Sequence, residues 1–128
     1  MKRALRWAAV AAFAAAIFVE SSTTGLGELA PSFAGADKAA HFVIYFLFAA
    51  TVSWAFGGSR GAVRAAAWAA VIAALYGVTD EVHQHYVPGR AMSFYDWLAD
   101  VSGAAAWIPA AWARARRKPT PPRPRQGS

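Results

Sequence analysis

Long apolar runs alternate along this chain with short segments that hold its charged and turn-forming residues. Four runs, at about 4–19, 38–56, 62–81 and 94–112, approach the roughly 20 residues that a helix needs to cross a bilayer. A soluble alanine-rich helical domain would spread its polar residues along one face of each helix, whereas here they gather at segment ends. The pattern therefore predicts an all-α, polytopic membrane protein, a bundle of four transmembrane helices.

The first run follows a basic start, Lys2, Arg3 and Arg6, and stops at Glu20. A secretory signal peptide has the same plan of a basic start and a short apolar core. No clear Ala-x-Ala cleavage site follows this core, so we expect the segment to remain as the first span. Arg6 can extend its guanidinium to the head groups and so lengthen that span.

The predicted helix ends carry recognisable capping residues. Asp37 precedes the second run, and aspartate is a preferred N-cap because its carboxylate accepts hydrogen bonds from the first N–H groups. Gly57 and Gly58 follow the same run, as glycine commonly follows the end of a helix. Ser93 and Asp96 fit the capping box S-x-x-[DE], so we expect the fourth helix to begin beside them.

Charge is segregated along the chain, which is 57% hydrophobic and only 16% charged. In a four-span arrangement all seven acids fall on one side of the membrane. Eleven of the thirteen basic residues fall on the other side: Lys2, Arg3, Arg6, Arg60, Arg64, Arg114, Arg116, Arg117, Lys118, Arg123 and Arg125. Because cytoplasmic loops carry the excess of Lys and Arg, both termini are predicted to be cytoplasmic. The net charge of +6 is then an orientation signal rather than a nucleic-acid-binding patch.

Composition also sets the domain organisation. Residues 1–113 form one predicted membrane domain, in which residues 20–36 are a loop rich in Ser, Thr and Gly. Residues 114–128 are basic and proline-rich, cannot build a core, and are expected to be a disordered cytoplasmic tail. The absence of cysteine excludes disulfides and thiolate metal sites.

The densest polar stretch runs from Tyr76 to Arg90 and contains two adjacent carboxylates, two histidines and a glutamine. The four-span topology brings the polar ends of three helices to the same level as this stretch. A charge at the bilayer centre costs roughly 2.5–3.5 kcal/mol on insertion scales, so these side chains should face one another or a water-filled cleft. The candidate functional residues are Asp37, Lys38, His41, Tyr45, Tyr76, Asp80, Glu81, Gln84, Arg90, Ser93, Asp96 and Asp100.

One hypothesis for this cluster is structural. The guanidinium of Arg90 would form a bidentate pair with one of the two adjacent carboxylates, Asp80 or Glu81. Lys38 or His41 would pair with the other. The cluster would then only clasp the second, third and fourth helices together.

A metal site is a weaker hypothesis. A divalent ion held by His41, Glu81 and Asp96 is conceivable, but the spacing of these residues is scattered and no H-x-x-x-H pair occurs on one helix. His83 and His85 are expected in a solvated loop. We therefore predict no metal and no cofactor.

Three spaced motifs link the predicted helix ends. They are Asp37-Lys-x-x-His41-Phe-x-x-Tyr45, Asp80-Glu-x-x-Gln84-x-x-x-Pro-Gly-Arg90 and Ser93-x-x-Asp96-x-x-x-x-x-x-Gly103. Over about residues 4–113 they resemble the VanZ-like family, small bacterial membrane proteins named for an accessory protein linked to teicoplanin resistance. The resemblance implies a multi-pass protein of the bacterial inner (plasma) membrane. The family usually has Asn where this chain has Asp100, so the aspartate adds a potential negative charge at this position.

Three classes of function fit these residues. The cluster would bind an anionic lipid or a lipid-linked cell-wall precursor through Arg90, Lys38 and His41, with a glycopeptide-resistance-like accessory role implied by the resemblance. It would alternatively supply acid, base and anion stabiliser for hydrolysis or transfer at a lipid phosphate, or act only as a structural or accessory element. No Ser or Cys lies beside a fixed histidine in the sequence, so binding or accessory function is favoured over catalysis. The expected partners are membrane lipids and not nucleic acid.

Overall fold

Four α-helices contain nearly all of the residues that the structure describes, which are 2–23, 35–57 and 61–117. In this computed structural model the helices are α1 (Lys2–Ser21), α2 (Ala36–Phe56), α3 (Ala62–His85) and α4 (Phe94–Arg116). These three described ranges contain no β-strand, which agrees with the all-α prediction. The helices α1, α2 and α3 are each long and apolar enough to cross a membrane.

Small residues allow the helices to pack closely. The helix α4 packs most extensively against α2 and α3, and α1 lies against the same two helices. Several core positions are fully buried alanines: Ala49, Ala66, Ala69, Ala73 and Ala104. Gly103 marks a still closer approach, because a Cβ on it would lie 2.1 Å from the carbonyl oxygen of Phe42. Alanine and glycine therefore let the α2 and α4 backbones approach as they do in membrane bundles.

Large apolar side chains cover the outside of the bundle. Leu47, Trp54, Trp68 and Leu75 each expose about half of their surface or more. In a water-soluble bundle the outward faces would be polar, whereas apolar surface of this extent is suited to lipid. The surface and the three apolar helices together fit a membrane protein.

The helices extend further than hydropathy predicts. The helix α1 covers 2–21 rather than 4–19, and α2 begins at residue 36 rather than 38. The prediction that His83 and His85 lie in a solvated loop is wrong, because both belong to the last turn of α3. Gln84 in that turn is buried inside the bundle whereas His85 is exposed, and the helix continues past the end of its apolar run. The helix α4 likewise continues to Arg116, beyond the predicted start of the tail at 114.

Some predictions lie outside the described residues. They concern most of the first loop (24–34), the connection that carries Arg60 (58–60) and most of the tail (118–128). The end of α2 is described, and there Gly57 follows Phe56 as the C-cap with a φ of 63°. Since positive φ favours glycine, the predicted end of this helix is confirmed.

Candidate functional site

Polar side chains meet at one end of the bundle, where the C-terminal turns of α1 and α3 lie beside the N-terminal turns of α2 and α4. We call the buried and half-buried residues the buried cluster: Ser21, His41, Tyr45, Asp80, Glu81, Gln84 and Asp100. We call the more exposed charged residues around it the rim: Glu20, Asp37, Lys38, Arg90 and Asp96. All of the helices contribute to this end.

Asp80 lies at the centre of the buried cluster and is bonded on both carboxylate oxygens. Its Oδ1 accepts a hydrogen bond from the Ser21 hydroxyl. Its Oδ2 accepts from the Tyr45 hydroxyl at 3.3 Å and from the Gln84 amide at 3.4 Å. These neutral donors come from α1, α2 and α3, so one carboxylate joins three helices.

Asp100 links α4 to α2 through a histidine. Its Oδ1 lies 2.8 Å from Nδ1 of His41, and the residue has no exposed surface. A Cβ added to Gly77 would come within 3.1 Å of the other carboxylate oxygen of Asp100. A small residue in α3 therefore makes room for this carboxylate.

Glu81 joins α3 to the start of α4. Its Oε2 accepts a hydrogen bond of 2.7 Å from the backbone N–H of Ser93. The Ser93 hydroxyl accepts from the backbone N–H of Asp96 at 3.2 Å, so Ser93 is the N-cap, as predicted. The Asp96 carboxylate does not complete the capping box, because Glu81 already occupies the Ser93 N–H.

The rim contains cations and carboxylates in close pairs. Lys38 Nζ lies 2.8 Å from Asp37 Oδ2 and 3.1 Å from Asp96 Oδ1, the second contact being an ion pair without hydrogen-bond geometry. The guanidinium of Arg90 lies 3.7 Å from Glu20 Oε1 and donates to the Thr23 carbonyl at 3.3 Å. Both signs of charge are thus presented together at this end.

Two hypotheses about these charges are wrong. Arg90 does not fork onto Asp80 or Glu81, because its guanidinium instead lies against Glu20, at the end of α1. Asp37 is not an N-cap, because α2 begins one residue earlier, after Gly35 with a φ of 86°. Asp37 lies in the first turn, where its negative charge still favours the helix N-terminus.

The contribution of α1 is the part of this end that sequence reasoning missed. Ser21 lies two residues beyond the predicted end of the first span, and the only signal for it was a polar pair after Glu20. Tyr76, one of the candidate functional residues, donates from its hydroxyl to the Ala14 carbonyl at 2.7 Å. It therefore ties α3 to α1 below the buried cluster.

A serine and a histidine also meet unexpectedly at this end. Ser22 Oγ lies 2.8 Å from Nε2 of His83. The same hydroxyl lies 2.6 Å from the Phe18 carbonyl, which can only accept a proton. His83 must then donate its N–H to Ser22 rather than take a proton from it. The pair therefore lacks the arrangement of a nucleophile and its general base.

Three side chains of the buried cluster could hold a metal ion. His41, Glu81 and Asp100 each offer a ligand atom within 4.8 Å of the others. The set conceived from sequence contained Asp96 in place of Asp100, but the Asp96 carboxylate lies against Lys38. The three-dimensional arrangement thus replaces a rim carboxylate with a fully buried one.

The opposite end of the bundle has different chemistry. A cavity of about 550 Å³ opens there, and its lining includes Arg6, Trp54, Trp107 and Arg114. The guanidinium of Arg6 lies 5.2 Å from the centre of the Trp54 ring, a cation–π distance. Basic and aromatic residues thus gather at the end away from the acids.

Comparison with known proteins gives one match. The sequence model of the VanZ/LLP1 family matches residues 9–114. This range contains every residue of the buried cluster and the rim. No curated protein and no solved structure matches the chain.

Proposed function

Since the chain belongs to the VanZ/LLP1 family, as its motifs indicated, we propose that it is a bacterial plasma-membrane protein that binds the head group of an anionic envelope lipid or lipid-linked cell-wall precursor at the rim. The proposal includes one membrane domain of residues 1–113 with four spans and two cytoplasmic termini. The separation of acids from basic residues supports this orientation. An accessory role of the teicoplanin-resistance kind rests on family membership alone.

The fourth span is supported by the packing of α4. At 23 residues its length is about 34 Å, using 1.5 Å per residue, which is enough to cross the hydrocarbon core. Its two acids, Asp96 and Asp100, contact Lys38 and His41 of α2. Such pairing lowers the cost of placing carboxylates in a membrane helix.

The observation that carries head-group binding is the composition of the rim. Lys38 and Arg90 both lie there, and the Lys38 side chain is 45% exposed. Exposed apolar and aromatic residues occupy the same α3–α4 connection as Arg90 and the first turn of α4: Tyr86, Met92, Phe94 and Tyr95. Aromatic residues favour the depth of the lipid head groups, so the basic side chains would meet a head group while the rings meet its chains.

The carboxylates beside each cation limit which head groups can bind at the rim. A simple phosphate would be repelled by Asp37 and Asp96, which flank Lys38. A head group that carries an amine as well as phosphate or carboxylate groups offers a partner to both signs. This favours a precursor with a peptide, or an amine-bearing lipid, over a purely anionic one.

Mass spectrometry of co-purifying lipid tests the proposal. We expect the full-length wild type, purified in mild detergent, to retain a lipid that Arg90→Ala and Lys38→Ala lose. Arg64→Ala is the matched control, because it removes an exposed arginine at the opposite end of α3, and it should retain the lipid. Equal retention of the same lipid by all four proteins would contradict head-group recognition at the rim.

A second candidate function is the structural clasp. The observation that favours it is that side-chain hydrogen bonds in the buried cluster join all four helices. Under this hypothesis Glu81→Gln lowers folded yield and any biological effect by the same factor. A folded but inactive Glu81→Gln protein would exclude a clasp-only role.

A further inference from the structure

Two carboxylate oxygens in the buried cluster have no hydrogen-bond partner among the described residues. They are Oε1 of Glu81 and Oδ2 of Asp100, and these residues are only 3% and 0% exposed. The second oxygen of each is bonded, to Ser93 N–H and to His41 respectively. Because a buried carboxylate oxygen without a partner costs free energy, a cationic counterpart is expected at this position.

The charges around these oxygens are also unbalanced. Asp80 adds a third buried carboxylate next to Glu81. Within the described residues, His41 is the one basic side chain that contacts a carboxylate of the buried cluster. Lys38 and Arg90 pair with acids at the rim instead. The lysines and arginines of the described ranges therefore leave this group of acids uncompensated.

The side chains that meet here have the donor set of a transition-metal site. We propose that His41, Glu81 and Asp100 bind a divalent first-row metal ion such as Zn²⁺ or Mn²⁺. One imidazole and two carboxylates suit such ions. Their ligand atoms lie within 4.8 Å of one another, whereas a tetrahedral ion with ligands at about 2.1 Å separates them by roughly 3.4 Å. Side-chain movements of about 1 Å would bring the three ligand atoms to the spacing that such an ion requires.

A bound ion would lower the electrostatic cost of the buried acids and would provide an open coordination position. Its two positive charges balance Glu81 and Asp100 inside an apolar bundle. Three protein ligands leave a coordination position for water or for an atom of a bound molecule. The inference goes beyond head-group binding and does not depend on it, since none of the three ligands belongs to the rim.

Metal titration of the full-length protein tests this site. The protein is purified in detergent, its affinity tag is removed, and it is stripped with a chelator. Zn²⁺ or Mn²⁺ is then added in competition with a fluorescent chelator. We expect one ion per chain for the wild type, and at least about tenfold weaker binding for Glu81→Gln and for Asp100→Asn.

Two controls separate the site from adventitious binding. Asp37→Asn removes an exposed acid at the rim, and the double variant His83→Ala/His85→Ala removes the other two histidines of the chain. Both should bind the ion with unchanged affinity. An affinity that falls in the double variant, or a wild type that takes up neither ion stoichiometrically, overturns the proposal.

A second measurement tests the proposal even if the variants of the ligand residues fail to fold. An ion that binds only the native state raises the unfolding temperature. The wild type and Asp37→Asn should therefore both melt at higher temperature after the ion is added. Melting curves that do not move with either ion overturn the proposal.

Discussion

Asp80 accepts hydrogen bonds from three neutral donors, Ser21, Tyr45 and Gln84. The neighbouring Glu81 has one oxygen without a hydrogen-bond partner in the part of the chain that the structure describes, as does Asp100 on the facing helix. Residues with similar burial thus differ in how well their oxygens are satisfied. This difference is the reason that the proposed metal site contains Glu81 and Asp100 and not Asp80.

At the residue scale, Ser21→Ala should destabilise the protein by about 1–3 kcal/mol. The reason is that Asp80 Oδ1 loses its hydrogen-bond donor in a buried position. Ser102→Ala is the matched control, because that hydroxyl is exposed and bonds only to a carbonyl of its own helix. Its effect should stay within about 0.5 kcal/mol.

Chemical unfolding in detergent micelles, followed by circular dichroism, measures both changes. Equal losses for Ser21→Ala and Ser102→Ala would mean that the contact between α1 and Asp80 contributes nothing to stability.

At the scale of helices, the position of α4 against α2 sets the geometry of this end. Gly103 allows the α4 backbone to touch the carbonyl of Phe42. One turn closer to the rim, Asp100 reaches His41 of the same helix pair. The close contact and the polar contact therefore depend on the same helix spacing.

Gly103→Ala should push α4 away from α2 and lower stability by about 1–3 kcal/mol, the usual cost of overpacking. The added Cβ would lie 2.1 Å from a backbone oxygen, which cannot rotate away as a side chain can. Gly61→Ala is the control, since nothing lies within 4 Å of its Cβ position. Thermal unfolding compares the two variants, and an unchanged melting temperature for Gly103→Ala would refute the close contact.

At the scale of the whole molecule, acidic and basic side chains lie at opposite ends of the bundle. The buried cluster and rim hold the acids of the described residues, whereas Arg6, Arg64 and Arg114 lie toward the opposite end. Large apolar side chains cover the surface between these ends. This arrangement fits a bundle that spans a bilayer with its basic end in the cytoplasm.

Cysteine labelling in intact cells tests that orientation, and the chain contains no cysteine of its own. We expect a membrane-impermeant maleimide to label Met92→Cys but not Arg64→Cys or Arg116→Cys. The last two should react after the membrane is permeabilised. Labelling of Arg116→Cys in intact cells would show that α4 does not cross the membrane.

Much of the helix order was predictable from the sequence, because hydropathy and capping are local properties. The end of α2 at Gly57 and the Ser93 cap of α4 lie where the residues indicate. The predicted Asp37 N-cap is wrong because Gly35, in the αL conformation, is the N-cap of α2. The predicted end of α3 is wrong because neighbouring helices bury Glu81 and Gln84 near its C-terminus, and hydropathy along one chain does not reveal such packing.

By itself the sequence determined which residues are apolar, where the charges lie along the chain and which motifs place it beside the VanZ-like proteins. Only the tertiary structure decided the pairing: Ser21 with Asp80, Arg90 with Glu20, and Asp100 in place of Asp96 beside Glu81 and His41. The physical reason is that successive helical residues point about 100° apart. A small rotation or shift of one helix therefore changes which carboxylate meets which donor, and packing of small residues such as Gly77 and Gly103 fixes that rotation.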